Sequence, residues 1–249
     1  MNLRIVLFHG PAVLAEGRWP AADLVVFPEL VDGGYAALAA DRATHSPGDE
    51  FLRRIAAASK RRRAVVLAGS LRLTNGRAGC TNTSLLFSRG KVLHRYDKIH
   101  LFRPTGDHHY FVPGRKAQVT EVAIRRRPVR IGMVICFDLR FPELVRALAF
   151  RRMELLIVPA RWPAARTEAW KTLLRARAIE NQAFVIGCNA AGPEGGPSFV
   201  FGPAGAPVPR LRTLRSGGDL YSIDLNDIER ARTLYHALKE ARWFGKAKT

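Results

Sequence analysis

The chain has 249 residues, 47% of them hydrophobic, with 40 lysines and arginines against 21 acidic residues and a formal net charge of +19. That is enough apolar material for a substantial core, while no apolar run approaches the ~20 residues that span a bilayer. Three cysteines, Cys80, Cys136 and Cys188, stand without any C-x-x-C pairing. This excludes a disulfide framework and a zinc-ligand spacing, and it points to a reducing, cytoplasmic setting.

In chain order, the apolar core of "MNLRIVLFHG" is too short for a signal peptide and reads as a first strand over residues 3–8. Further strand-length apolar runs follow at 23–28, 64–70, 83–88, 91–97, 117–124, 129–136, 155–160, 183–190, 197–202 and 219–224. Helical periodicity appears in "GDEFLRRIAAASKRR", with Asp49 as N-cap. It returns in "FPELVRALAFRR", where Pro142 occupies a first turn without the cost of a lost N–H. "RTEAWKTLLRARAIENQ" places Trp170, Leu173, Leu174, Ala178 and Ile179 at helical spacing, and "DIERARTLYHALKEARW" reads as a last helix. Strands joined by short loops, mixed with strands separated by helices, predict layered α/β architecture with two sheets in a single domain over 1–249.

The charge invites a nucleic-acid reading. The basic clusters, "KRRR" at 60–63, "RRR" at 125–127 and Arg151-Arg152, fall at segment junctions and have no interleaved aromatics for base stacking. A solvated, arginine-rich surface is the better account, and neither nucleic acid nor membrane is expected as a partner.

Three segments deliver a reactive side chain where a strand ends: "LVVFPEL" brings Glu29, "HRYDKIHLF" brings Lys98 and "MVICFDLRFPE" brings Cys136. A thiol with a pKa near ~8.5 needs a base to become thiolate. A carboxylate can take that proton, and an ammonium can stabilise the anion and a tetrahedral oxyanion. The backbone N–H of Phe137 is a natural second oxyanion donor. Taken singly, each residue is equally well a cap, a surface lysine or a core cysteine, and the flanking sequence decides between these readings.

"FPE", "DKIHLF" and "CFDLRFPE", in this order, resemble the three signatures of the nitrilase, or carbon–nitrogen hydrolase, superfamily. "LAGS" at 67–70, "TNTSLLFS" at 81–88, residues 158–192 and "FGPAG" at 201–205 extend the resemblance over nearly the whole chain. The resemblance implies an α-β-β-α sandwich, two mixed sheets flanked by helices, assembling through helices as a homodimer. It further implies Cys136 as nucleophile, Lys98 as oxyanion lysine and Glu29 as general base, with no cofactor or metal. The family's second glutamate falls on Asp107, one methylene shorter. Tyr35 matches a substrate-contacting aromatic, and Arg161 is a candidate partner for a substrate carboxylate. The segment between the first two strands is short and carries Gly and Pro, so the first outer helix is expected to be truncated.

Asp138 and Arg140 are read as braces of the cysteine turn, His100 as a support of the lysine loop, and Glu143 as a helix cap. His108 and His109 are read as surface residues, and Cys80 and Cys188 as packing. The expected activity is hydrolysis of a small ω-amide of a carboxylic acid, releasing ammonia through a thioester. N-carbamoyl hydrolysis, nitrile hydrolysis and a non-catalytic basic scaffold are the alternatives.

Overall fold

The computed structural model describes residues 1–11, 19–40, 49–74 and 79–242. Its strands begin with β1 (Asn2–Phe8), β2 (Leu24–Val26), β3 (Val65–Leu67), β4 (Leu71–Thr74), β5 (Cys80–Ser88) and β6 (Lys91–Asp97). They continue with β7 (Val119–Ile124), β8 (Arg127–Met133), β9 (Leu155–Ala160), β10 (Phe184–Asn189), β11 (Phe199–Phe201), β12 (Arg212–Leu214) and β13 (Gly218–Asp224). The helices are α1 (Gly34–Ala39), α2 (Glu50–Arg62), α3 (Asp107–Tyr110), α4 (Pro142–Phe150), α5 (Thr167–Asn181), α6 (Asn226–Tyr235) and α7 (Ala237–Glu240).

One sheet runs β12-β13-β1-β2-β3-β5-β4, with β6 also paired to β5, and the other runs β11-β10-β9-β8-β7. The pairs β1–β2, β2–β3, β8–β9 and β9–β10 are parallel, and antiparallel strands flank them. Both sheets are therefore mixed, as expected.

The period-2 alternation of each strand supplies two buried faces. In the first sheet, Leu3, Ile5, Leu7, Leu24 and Val26 share one core with Ile131, Met133, Leu155 and Ile157 of the second. Val6, Phe8, Val25, Phe27 and Val66 turn the other way and pack beneath Leu52, Ile55 and Ala58 of α2. On the far side, Val145 and Leu148 of α4 and Trp170, Leu174 and Ala178 of α5 cover the second sheet. Each Val, Leu, Ile, Met or Phe side chain so removed from water contributes about 1.5–3 kcal/mol, which explains why strands buried on both faces read as unbroken apolar runs. The result is the α-β-β-α sandwich.

Local signals behave as their chemistry requires. Asp49 caps α2, accepting from Leu52 N at 3.0 Å, and Pro142 opens α4. The last helical segment breaks at His236, whose φ of 52° separates α6 from α7. Ile179, placed by spacing on the apolar stripe of α5, is 47% exposed. The short strands β4 and β12 have too few apolar residues to register as periodic runs. The segment between the first two strands, expected to carry a truncated outer helix, includes residues 12–18, which lie outside the described residues. No described helix is long and apolar enough to cross a membrane.

Candidate active site

Glu29 sits at a corner made by three features after β2. Leu30 adopts a left-handed φ of 43°. Gly69 (φ 70°) brings the segment between β3 and β4 against this corner, where a Cβ would collide with the Pro28 carbonyl oxygen. Ser70 then ties the corner down: its N–H donates to Pro28 O at 3.2 Å, and its Oγ accepts from Leu30 N at 3.1 Å. This accounts for the "LAGS" segment.

The Glu29 carboxylate is fully buried. Its Oε1 accepts from Lys98 Nζ at 2.9 Å and from Asn82 Nδ2 at 3.0 Å, and its Oε2 accepts from Arg161 N at 3.0 Å. Lys98 follows β6, with its N–H donating to Asn82 O (2.9 Å) and its carbonyl accepting from Gly114 N (2.8 Å). Its ammonium also reaches Asp107 Oδ2 at 2.7 Å. Burial works against the Lys98 charge, but the carboxylates around it, Glu29 first, hold its pKa well above the ordinary lysine value.

Asp107 opens α3 and is fully buried. It accepts from Lys98, from Tyr35 Oη at 2.9 Å, from Phe102 N at 3.0 Å and from Thr105 Oγ1 at 3.1 Å. Burial alone would raise its pKa, but the Lys98 ammonium and these hydrogen bonds bring it below the usual carboxylate value. The shorter side chain thus stands where the longer one was expected, within direct reach of the lysine. Tyr35 has its phenol pKa pushed up by burial and then by the negative charge of Glu29, so it remains a donor to Asp107.

Cys136 lies three residues beyond β8, at the start of a 3-10 helix (Cys136–Arg140), in a left-handed conformation with φ 47°. Such a φ at a non-glycine residue is maintained by its surroundings, and those surroundings are identifiable. Asp138 Oδ2 accepts from Ile135 N (3.1 Å) and Tyr96 Oη (2.7 Å), while Oδ1 accepts from His100 N (2.8 Å) and lies 2.8 Å from His100 Nδ1. The His100 ring stacks on Phe141, with centroids 3.5 Å apart. Buried Arg177, on α5, donates twice to Leu139 O, at 3.1 and 2.9 Å. Asp138 and His100 therefore brace the cysteine turn and the lysine loop together, as expected.

The Cys136 thiol donates to the Arg161 carbonyl at 3.9 Å, and the Glu29 carboxylate, held by the N–H of the same Arg161, is near enough for its charge to act on the sulfur. Burial and then the Glu29 charge raise its pKa well above the ordinary thiol value, while Lys98 partly offsets them. The raised pKa favours a protonated thiol at rest, with the Glu29 carboxylate as its charged neighbour. The Phe137 N–H belongs to the first turn of the 3-10 helix, where N–H groups have no intrahelical acceptor.

Two arginines differ from the sequence reading. Arg161 lines the pocket, but its guanidinium is tied inward: Nε donates to Glu29 O (2.9 Å), Nη2 to Leu30 O (2.9 Å) and Nη1 to Glu194 Oε2 (3.1 Å). It clamps the Glu29 corner, which its sequence position alone could not reveal. Arg140 is exposed and faces the pocket instead of bracing the turn, with its guanidinium carbon 5.1 Å from the Trp162 ring centroid. The pocket, of about 360 Å³, opens above Cys136 between Phe102, Phe137 and Trp162, with Arg140 and Arg166 on its wall. Neither of these two arginines has a carboxylate partner among the described residues. His108 and His109 are exposed. Cys188 is buried, its thiol donating to Phe8 O (3.3 Å) and Val26 O (3.4 Å).

A two-sheet sandwich with a thiol, a carboxylate and an ammonium converging at strand ends defines a carbon–nitrogen hydrolase. The chain belongs to that family: the carbon-nitrogen hydrolase family model matches residues 12–233, and the protein is an amidase-like enzyme of the nitrilase superfamily. It is 41% identical over 170 residues to omega-amidase YafV of Yersinia enterocolitica, covering 68% of this chain and 62% of that protein. It is 38% identical over 224 residues to omega-amidase YafV of Escherichia coli K12, covering 82% and 83%. Among solved structures, it resembles a CN-hydrolase superfamily protein from Xanthomonas campestris that carries an arsenic adduct in its active site. That match has a TM-score of 0.83 and 30% identity, covering 98% of this chain and 99% of the other.

Proposed function

We propose that the chain hydrolyses the ω-amide of a short dicarboxylic acid through a thioester on Cys136. One observation carries this reading. Cys136 lies at the floor of a pocket beside the Glu29–Lys98 ion pair (2.9 Å), and the wall of that pocket carries the guanidiniums of Arg140 and Arg166, which have no carboxylate partner among the described residues. The floor suits an amide, and the wall suits the distal carboxylate of the same molecule. The similarity to omega-amidases supports the same substrate class.

In the first half-reaction Cys136 Sγ bonds to the amide carbon while Glu29 takes the thiol proton. The oxyanion is held by Lys98 Nζ and the Phe137 N–H. Glu29 then delivers its proton to the departing nitrogen, so the C–N bond breaks and ammonia leaves. In the second half-reaction Glu29 takes a proton from water, whose oxygen attacks the thioester carbon. The C–S bond breaks, the sulfur recovers the proton, and the acid is released. Asp107 keeps Lys98 charged and aimed, and Arg161 keeps Glu29 aimed.

The reading is tested by ammonia release from short ω-amides with and without the distal carboxylate, combined with intact-mass detection of an acyl adduct. Selective turnover of the carboxylate-bearing amide, with an adduct absent from Cys136→Ala, is the expected result. Better turnover of N-carbamoyl compounds, or an adduct that survives Cys136→Ala, would overturn it.

The expected homodimer has its support in exposed Phe150, Ile179, Leu234 and Tyr235 on α4, α5 and α6. Sedimentation of Ile179→Glu against the parent tests it, a monomeric parent being the contrary result. A single cooperative unfolding transition is the corresponding test of one domain over 1–249.

A further inference from the structure

The basic clusters that lie far apart in sequence meet in space. A second cleft, of about 900 Å³, is lined by Lys60, Arg62, Arg63, Arg89, Arg125 and Arg126, together with Arg4. Lys60 and Arg62 end α2, Arg63 is its C-cap, Arg89 lies in the β5–β6 turn, and Arg125 and Arg126 form the β7–β8 turn. Both sheets thus bring cations to one place.

This place is the opposite end of the sandwich from Cys136. The cleft is reached from the starts of β2, β3 and β8, whereas Glu29 and Cys136 lie beyond the ends of β2 and β8. At ~3.3 Å per residue the two sites stand roughly 20–30 Å apart, beyond the ~8 Å over which charges act through physiological salt. The cations therefore do not steer an amide to the thiol.

Two features distinguish the cleft from an ordinary solvated surface. Asp23 is the one carboxylate among its described lining residues, and it is paired with Arg125 Nε at 2.6 Å. Among the described residues, Lys60, Arg63, Arg89 and Arg126 have no ion-pair partner. In addition, Arg63 (φ 52°), Arg89 (φ 50°), Arg125 (φ 48°) and Arg126 (φ 69°) all hold the left-handed conformation. Glycine or asparagine serves a local turn better at such positions. Four arginines stand there, on three separate turns, and all four face the same cleft.

We propose that this cleft binds a condensed, linear phosphate chain of the inorganic polyphosphate kind, recognised through its phosphates alone. Phosphate oxygens match guanidinium geometry, and a chain with one charge per phosphate matches closely spaced cations. No aromatic side chain is among the described residues that line the cleft, so a base has nothing there to stack on, which disfavours nucleic acid. Its concavity suits a chain better than a flat bilayer.

The test titrates the full-length protein with polyphosphate of about 15 phosphates, with oligo(dT) of matched charge, and with anionic vesicles, over ~50–300 mM salt. Polyphosphate is expected to bind at least about 10-fold more tightly than oligo(dT), with a salt slope of roughly −4 if six phosphates are contacted. The triple variant Arg63→Asn, Arg89→Asn, Arg126→Asn uses asparagine because it tolerates left-handed backbone. It is expected to weaken binding roughly 50-fold at about 0.15 M salt and to lower the slope by about two. Its amidase activity and melting temperature should match the parent.

A control variant, Lys171→Asn, Arg175→Asn, Arg215→Asn, removes the same charge from exposed positions elsewhere. Equal loss in the control would make the binding diffuse and overturn the proposal. So would equal or tighter binding of oligo(dT), binding to vesicles without binding to polyphosphate, or no binding to any probe.

Discussion

The two ends of the sandwich handle charge in opposite ways. At the Cys136 end, Glu29, Lys98 and Asp107 are buried, and the lysine touches both carboxylates at 2.9 and 2.7 Å. At the other end, Lys60, Arg63, Arg89 and Arg126 are exposed around the paired carboxylate of Asp23. Burial makes every ion depend on its neighbours, because a charge removed from water must be paired and hydrogen-bonded. Exposure leaves each cation to solvent and salt. Substitutions of the buried ions at the first end should therefore damage function and fold together, whereas those of the cations at the second should change only what is bound.

Cys136→Ala separates chemistry from scaffold. Loss of the nucleophile should lower amide turnover by ~10⁴-fold or more with little change in melting temperature, as read by ammonia release and thermal denaturation. Lys98→Met breaks the link between the two: it leaves two buried carboxylates facing each other without their counterion. Turnover should fall by about 10³-fold and stability by about 3–5 kcal/mol, measured by urea unfolding. A fully stable Lys98→Met would contradict the ion triad.

Asp107 sharpens the contrast. Asp107→Ala removes the acceptor of four hydrogen bonds and should lower kcat/KM by about 10²-fold. Asp107→Glu, which restores the length expected from the family, must fit an extra methylene into a filled site, so it should recover only part of that loss. The pH dependence has a definite sign. Because the folded-state pKa of Asp107 is lowered, its contribution to stability is complete above the ordinary carboxylate value near ~4. It is lost as pH falls through the lowered value. Asp107→Asn should thus flatten the acid limb of the stability profile, seen as a smaller drop in urea midpoint between neutral and acidic pH. The smallest effect is expected for Tyr35→Phe, which removes one hydrogen bond to Asp107 and should cost about 1 kcal/mol or a few-fold in turnover.

How much of this was legible depends on where the information resides. Glu29, Lys98 and Cys136 stand in short motifs whose flanking residues make the corners that hold them, so their convergence could be read. The roles of Asp138 and His100 followed from the same proximity in sequence. Arg161 and Arg140 exchanged expectations, because the direction of a long side chain is decided by partners distant in sequence, here the Glu29 and Leu30 carbonyls and the Trp162 ring. Asn82 and Arg177 were missed for a related reason. Each acts through one contact made across the fold, and nothing in "TNTSLLFS" or "LLRARAIEN" marks that contact. The basic cleft was illegible as a cleft: its clusters looked like scattered surface until strand order brought α2 and three turns to one end.

Keeping the resting sulfur protonated also governs which reagents it meets. Oxidants and alkylating agents react with thiolate, and Cys136, only 9% exposed and beside a carboxylate that disfavours thiolate, offers little of it. In the mechanism proposed above, deprotonation accompanies the arrival of an electrophilic carbon positioned between Lys98 and the Phe137 N–H. On that mechanism, the same burial that makes a nearby base necessary also shelters the Cys136 thiol from peroxide between turnovers.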